Sequence, residues 1–131
     1  MPELEHNAAS PPAKQTLLER VSLFRELRPE ELELIAAYSD LVHFSDGETI
    51  FTHGTNGESL YIVSGGAVRI IADGTGTGQD IARFIGGELF GELDLFEESV
   101  RTVDAVAEGR TDLLIFPRPG VAFESLLEKH P

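Results

Sequence analysis

Residues 90–107 are the part of this chain best suited to chemistry, and they read FGELDLFEESVRTVDAVA. Arg101 is the only cationic residue between Phe84 and Gly109, in a stretch otherwise rich in carboxylates. A guanidinium can bind an anion through two parallel hydrogen bonds. Gly91 lets the backbone approach a ligand closely, because no Cβ intervenes. This order of residue types predicts a site for one small anion.

The residues between the glycine and the arginine indicate how such a site would be completed. Glu92 can accept hydrogen bonds from a diol or an amine. Residues 93–98 can form a short helical turn whose free N–H groups point at an anion. A second interpretation is an internal salt bridge from Arg101 to Glu92 or Asp94 with no ligand. The residue types alone leave both interpretations open.

Composition limits the kind of protein this is. The chain has 131 residues, of which 41% are apolar, enough for the core of one domain. Its net charge of −13 argues against nucleic acid or an anionic membrane as a partner, because their phosphates attract Lys and Arg. There is no cysteine, which excludes disulfides and thiolate metal sites. No signal peptide or membrane-spanning run is apparent, so a cytoplasmic location is expected.

Other chemistries find little support. The four histidines (His6, His43, His53 and His130) are scattered, so no metal site is predicted. No nucleophile has a base near it in the sequence, and we expect neither an enzyme nor a bound cofactor. The glycine-rich run 74–78 lacks the Gly-Lys-Ser/Thr ending of a phosphate loop and is interpreted as a hairpin tip.

The elements that must position these residues are helices at both ends and strands between them. Residues 1–14 contain Pro11-Pro12 and predict a flexible tail, so the domain is expected over 15–131. Helical spacing begins at Thr16, whose side chain could form a capping box with Glu19. A second helix begins near Pro29 and ends by residue 40. A last helix is expected over Arg118–His130.

Between the helices, short β-rich runs alternate with turn residues. Turns are predicted at Gly65-Gly66 and Gly86-Gly87, among others. This pattern is typical of a mainly β fold with flanking helices, an antiparallel, jelly-roll-like β-roll with N-terminal helices and a C-terminal helix. Strands are predicted at 41–44, 48–52, 59–64, 66–72, 79–85, 101–107 and 112–116.

Three segments together resemble the cyclic nucleotide-binding domain family, as found in the catabolite activator protein and in regulatory subunits of cyclic-nucleotide-dependent kinases. Residues 23–32 read LFRELRPEEL, residues 54–63 read GTNGESLYIV and are followed by Gly66, and residues 90–101 read FGELDLFEESVR. The third segment is similar to the family's phosphate-binding cassette without a gap. The resemblance covers about residues 17–131.

The resemblance implies a role for each cassette residue. Gly91 and the backbone N–H groups that follow it, those of Leu93 and Asp94, would hold the cyclic phosphate of cAMP or cGMP. Arg101 would neutralise that phosphate, and Glu92 would bind the ribose 2′-hydroxyl. Thr102 lies where family members that prefer cGMP often carry a threonine.

The resemblance also implies a partner. The last helix would be the family's hinge helix, packed against Leu93, Leu95 or Phe96, and it would relay ligand binding to an effector domain or protein. The main departure is Asp94, where the family usually has a small residue. Two like charges about 4 Å apart repel by about 4 kcal/mol at an effective dielectric of about 20. The alternative is therefore a degenerate β-roll that acts as a protein-interaction module without nucleotide.

Overall fold

The fold is a β-roll flanked by short helices, as the sequence predicts. The computed structural model describes residues 3–4, 14, 17–72 and 78–129. Residues 17–19 are helical, and a 3₁₀ turn follows at Ser22–Phe24. The longer helices are α1 (Pro29–Ala37), α2 (Glu92–Phe96) and α3 (Phe123–Lys129). The strands are β1 (Glu3–Leu4), β2 (Asp40–Phe44), β3 (Thr49–Phe51), β4 (Leu60–Ile71), β5 (Asp80–Ile85), β6 (Leu89–Phe90) and β7 (Asp104–Phe116).

Two long antiparallel strands, β4 and β7, form the spine of the sheet. The sheet has the order β1-β2-β7-β4-β5, with β3 paired to β7 and β6 paired to β4. The register of the spine sets Leu60 opposite Phe116 and Val63 opposite Leu113. All the pairings are antiparallel, which is the arrangement expected of a roll.

The spine is buried on both faces, so its burial does not simply alternate. Successive side chains of a strand point to opposite faces. One face packs under the helices in what we call the helix-side cluster, whose buried members are Leu18, Val21, Phe24, Leu32, Ala36, Leu60, Ile62, Leu95, Leu114, Phe116 and Leu126. The other face lines the interior of the roll in the roll-side cluster, whose buried members are Val42, Phe44, Val63, Val68, Ile70, Phe90, Ala105, Ala107, Leu113 and Ile115.

The predicted turn at Gly65-Gly66 is wrong. Strand β4 runs through it, with register shifts on either side of Gly65. Gly66 has φ +81°, and a Cβ on it would lie 2.7 Å from the Cα of Thr111. The two glycines therefore form a bulge that lets β4 and β7 cross at close range.

The second of the two long strands also differs from the prediction. Strand β7 is one strand of 13 residues where the sequence predicts two. It begins at Asp104, so the predicted start at Arg101 is wrong by three residues. Arg101 belongs to an irregular segment before the strand, where its side chain can turn into the roll.

The second helix agrees with the sequence, whereas the first, predicted from Thr16 through Phe24, is interrupted at Val21, whose backbone is extended, and the last is shorter than predicted. Pro29 begins α1, and the backbone N–H of Arg28 donates a 2.8 Å hydrogen bond to Oε1 of Glu31. Helix α3 begins at Phe123 instead of Arg118, because residues 119–120 form a turn. None of the helices in the described residues is long and apolar enough to span a membrane.

Some predictions concern segments that the structure describes only in part. Within the predicted flexible tail, Glu3 and Leu4 form a strand that pairs with β2, which corrects the prediction for those two residues. The capping box at Thr16 and most of the 74–78 loop lie outside the described residues. The domain boundary at residue 15 stays a prediction.

Candidate functional site

The site is organised around Arg101, whose backbone is fixed by the loop before β4. The N–H of Arg101 donates to the carbonyl oxygen of Thr55 at 2.7 Å, and its own carbonyl accepts from Gly54 at 2.8 Å. Asn56 and Val100 form an isolated β-bridge beside them. These contacts across 44 or more residues place the arginine at the mouth of the roll.

The side chain of Arg101 is buried, with 1% of its surface exposed. Its guanidinium carbon lies 4.2 Å from the ring centroid of Phe51 and 5.7 Å from that of Tyr61. Tyr61 in turn stacks on Phe90, with centroids 5.1 Å apart. Aromatic faces carry partial negative charge, so they stabilise a guanidinium that has been removed from water.

Three oxygen atoms accept hydrogen bonds from the guanidinium. Nη1 donates to the Gly91 carbonyl at 2.7 Å and to Oδ2 of Asp94 at 3.2 Å, and Nη2 donates to the Ser59 carbonyl at 2.6 Å. The structure thus contains the internal salt bridge that the sequence left open, and its acid is Asp94. Nε of Arg101 is buried and has no hydrogen-bond partner among the described residues.

Gly91 is required by the closeness of the arginine. It has φ +81°, and a Cβ there would lie 3.0 Å from Nη1 of Arg101 and 3.1 Å from the ring of Tyr61. A side chain would be strained in this backbone conformation and would also press on the guanidinium. The sequence predicts that a ligand approaches this glycine, and that stays a prediction; the groups close to it in this structure are the protein's own Arg101 and Tyr61.

Tyr61 reports the electrostatic environment of the site. Burial raises the pKa of its phenol above the ordinary value, and the nearby charge of Arg101 opposes that rise. Desolvation disfavours the charged form of any acid, while a neighbouring cation favours it. The direction of the pKa change shows that burial is the larger effect.

The other predicted site residues are more exposed to solvent than Arg101. Glu92 is half-buried, Thr102 is exposed and Leu93 is 65% exposed. Within the described residues, the side chains of Glu92 and Thr102 make no hydrogen bond or ion pair. The structure therefore brings Gly91, Asp94 and Arg101 together, and among the described residues Glu92, Leu93 and Thr102 make no side-chain hydrogen bond or ion pair with them.

The cassette also contacts the last helix, as the sequence predicts. Leu95 and Leu126 belong to the same helix-side cluster, and the rings of Phe96 and Phe123 lie 5.9 Å apart. The packing predicted for Leu95 or Phe96 is confirmed, whereas Leu93 faces solvent. A cleft of about 490 Å³ separates residues 56–58 and the end of α2 from residues 120–124.

Ser59 is a member of the site that the sequence did not reveal. Its carbonyl accepts from Arg101, and its Oγ donates to the Pro117 carbonyl at 2.8 Å. Only 9% of Ser59 is exposed. One residue thus connects the guanidinium to the segment that leads into α3. A serine just before a strand gives no signal for such a contact, because its partners lie 42 and 58 residues away.

The comparison with protein families identifies the same segment. A family model described as "Cyclic nucleotide-binding domain" matches residues 41–130, which include the cassette and all of α3. This match covers more than half of the chain.

Individual relatives have the same domain in longer proteins. The chain is 39% identical over 93 residues to a cyclic AMP receptor protein of Thermus thermophilus, covering 70% of this chain and 43% of that protein. It is 36% identical over 107 residues to the lysophospholipase nte1 of Neurospora crassa, covering 81% of this chain and 7% of that protein. The chain therefore spans less than half the length of both curated relatives.

A solved structure agrees with the fold. The regulatory subunit of a cAMP-independent protein kinase A from Trypanosoma cruzi, bound to guanosine, superimposes with a TM-score of 0.72 at 27% sequence identity. The superposition covers 80% of this chain and 38% of that one.

Proposed function

The chain belongs to the cyclic nucleotide-binding domain family, and from this we propose that it is the ligand-sensing unit of a regulatory protein. It binds a cyclic nucleotide, cAMP or cGMP, against Arg101 and the residues of the cassette. Gly91, Leu93 and Asp94 contribute their backbone to the phosphate, Glu92 binds the ribose hydroxyl, and Thr102 faces the base. Helix α3 relays the bound state to an effector.

The buried guanidinium of Arg101 is the observation that carries this proposal. A charge out of water is costly unless all its hydrogen-bonding groups are met. Nε of Arg101 has no partner among the described residues, although the side chain is almost fully buried. An anionic oxygen from a ligand would meet that N–H and would place a negative charge beside the cation.

The contacts of the cassette support the relay. Phe90 packs in the roll-side cluster and Leu95 packs in the helix-side cluster with Leu126. A ligand that moves the cassette therefore changes the packing of α3. Ser59 offers a second connection. Its carbonyl accepts from Arg101, and its hydroxyl donates to the carbonyl of Pro117, which precedes the segment that leads into α3.

The effector belongs to the same proposal. The relatives attach this domain to different proteins, one a receptor and one a lysophospholipase. We propose that the domain itself is regulatory and that catalysis or gene control, where present, belongs to the effector.

The test is thermal unfolding with cAMP, cGMP and guanosine. A ligand at about 100 times its dissociation constant adds about 2.7 kcal/mol to the free energy of unfolding. We expect a shift with at least one cyclic nucleotide. Arg101→Lys should abolish it, because lysine lacks the planar fork of donors. Arg110→Lys, an exposed change on β7, should leave it intact.

The Asp94–Arg101 ion pair favours a second candidate function. If the carboxylate permanently occupies the arginine, the domain is a protein-interaction module without nucleotide. In that case neither cyclic nucleotide shifts the unfolding temperature of the natural chain, and Arg101→Lys changes stability without removing any ligand response.

A further inference from the structure

The three hydrogen-bond acceptors of Arg101 differ in whether they can move away from it. The Gly91 and Ser59 carbonyls are backbone groups, and Gly91 is bound at 2.7 Å and Ser59 at 2.6 Å. The third acceptor, Asp94, is a side chain that can rotate about two bonds. Nη1 has two N–H groups and both are taken, by Gly91 and Asp94, so a ligand anion can bind Nη1 only when one of these acceptors leaves, and Asp94 is the one that can leave.

Asp94 is held in place from two sides. Its Oδ1 accepts from Oγ of Ser99 at 3.1 Å, while its Oδ2 accepts from Arg101. The backbone of Ser99 also donates to the carbonyl of Asp94 at 3.0 Å. On the other side lies Gly57, where a Cβ would be 2.8 Å from the backbone carbon of Asp94. Both carboxylate oxygens are therefore bonded before any ligand arrives.

Exposure shows where the carboxylate can go. The side chain of Asp94 is 26% exposed and that of Arg101 is 1% exposed. The carboxylate can therefore rotate outward into water, whereas the guanidinium cannot. An arriving phosphate would then replace the Asp94 carboxylate beside the same guanidinium. The net gain in binding free energy is therefore smaller than it would be for an arginine without an ion-pair partner.

We infer that Asp94 is a specificity-determining residue, a tethered anion that competes with the phosphate of the ligand for Arg101. The inference rests on the proposed function, since it concerns the same site. The ion pair therefore reduces the domain's preference for cyclic nucleotides over the uncharged nucleosides, adenosine and guanosine. A nucleoside leaves the Asp94–Arg101 pair intact and brings no charge that must displace it.

Calorimetric titration of the natural chain and its variants with cAMP, cGMP, adenosine and guanosine tests the inference. In Asp94→Asn we expect cyclic nucleotide affinity to rise by about 10- to 100-fold, the range of one hydrogen bond to a charged group. Nucleoside affinity should change by less than about threefold, within the scatter of such measurements. Glu97→Gln is the matched control, because it removes one exposed cassette charge that makes no hydrogen bond or ion pair with Arg101 or Asp94 among the described residues.

A second variant keeps the test valid if Asp94→Asn does not fold. Ser99→Ala removes the hydrogen bond to Oδ1 but keeps the carboxylate, and it should raise cyclic nucleotide affinity by about three- to tenfold. Equal affinity for cyclic nucleotides in the natural chain and both variants would overturn the inference while leaving the proposed function standing. A gain in Glu97→Gln as large as in Asp94→Asn would overturn it as well, since the effect would then be long-range charge alone.

The two proposals fail differently. Binding of cyclic nucleotide only in Asp94→Asn would support the inference and would refute ligand sensing by the natural chain. Absence of binding by any of the four compounds to any variant would overturn both.

Discussion

The two faces of the strands β4 and β7 differ in what they bury. The helix-side cluster contains Leu60 and Leu114 from the spine, and among the described residues no charged side chain is buried with it. The roll side buries aromatic rings and one cation, since Arg101 lies over Phe51 and beside Tyr61. The same pair of strands thus supports a packing surface on one face and the proposed binding surface on the other.

The proposed sensing site and the proposed relay helix lie on opposite faces of one pair of strands. The roll side holds the only deeply buried cation in the described part of the chain, and the helix side holds α3. The cassette joins the two faces within six residues, from Phe90 in the roll-side cluster to Leu95 in the helix-side cluster. A change at the arginine therefore reaches the helices over a short path.

The largest expected effects come from two adjacent leucines that point to opposite faces. Leu113 belongs to the roll-side cluster and Leu114 to the helix-side cluster, with 0% and 1% exposed surface. Replacing either with alanine should lower the free energy of unfolding by about 3–4 kcal/mol, as for other buried leucines. Urea unfolding measures the loss.

The two variants should differ in where protection is lost. Hydrogen exchange should increase more over residues 118–129 in Leu114→Ala, and more over residues 90–103 in Leu113→Ala. The same pattern of exchange in both variants would show that the two faces unfold as one cooperative unit, and it would contradict their separation.

The next effect tests why the roll side accepts a cation. Arg101→Met should cost about 3 kcal/mol, the lower end for breaking a buried ion pair, because the remaining carboxylate of Asp94 is partly solvated. The double variant Arg101→Met with Asp94→Leu should be more stable than the single one in urea unfolding, since no charge is left unpaired. A double variant less stable than the single one would contradict this account.

A smaller effect tests the link between the faces. Ser59→Ala removes the hydroxyl that donates to Pro117 but keeps the carbonyl that accepts from Arg101. The free energy of unfolding should fall by about 1 kcal/mol, the value of one hydrogen bond. Ser59→Thr keeps a hydroxyl and should recover most of that loss in the same urea titration. An unchanged free energy of unfolding in Ser59→Ala would show that the bond to Pro117 contributes nothing to stability.

The smallest effect is a pH dependence of the roll side. Because the pKa of Tyr61 is raised in the folded chain, its contribution to stability is complete below the unfolded value of about 10. That contribution is lost as the pH rises through the folded value. Tyr61→Phe should therefore lose less stability above about pH 10 than the natural chain does. Tyr38→Phe is the control, and it should keep the dependence.

Much of the fold follows from local sequence, and the exceptions have a common cause. Strands β2, β3 and β5 are short β-rich runs between turn residues, and the sequence finds each to within two residues. The bulge at Gly65-Gly66 looks like a turn until its partner strand is known. The two residues of β6 form a strand only because they pair with Tyr61 and Ile62.

The candidate site divides in the same way. The cassette is continuous in sequence, so spacing identifies Gly91, Asp94 and Arg101 as neighbours. Its spacing leaves two acids as candidate partners for Arg101, and only the geometry selects Asp94. Ser59 and Phe51 could not be found, because their contacts with the arginine cross 42 and 50 residues of chain.

The positions of the two tyrosines have a practical consequence. The chain has two tyrosines and no tryptophan. Tyr61 lies beside Arg101, and the ring of Tyr38 lies 5.4 Å from the guanidinium of Arg118. The backbone N–H of Arg118 donates to the Tyr38 carbonyl. The intrinsic ultraviolet fluorescence of this protein therefore comes from two phenol rings, one at the proposed sensor and one where the last helix's leading segment meets α1. When either tyrosine is replaced by phenylalanine, the fluorescence of the remaining tyrosine reports on its own surroundings without any added label.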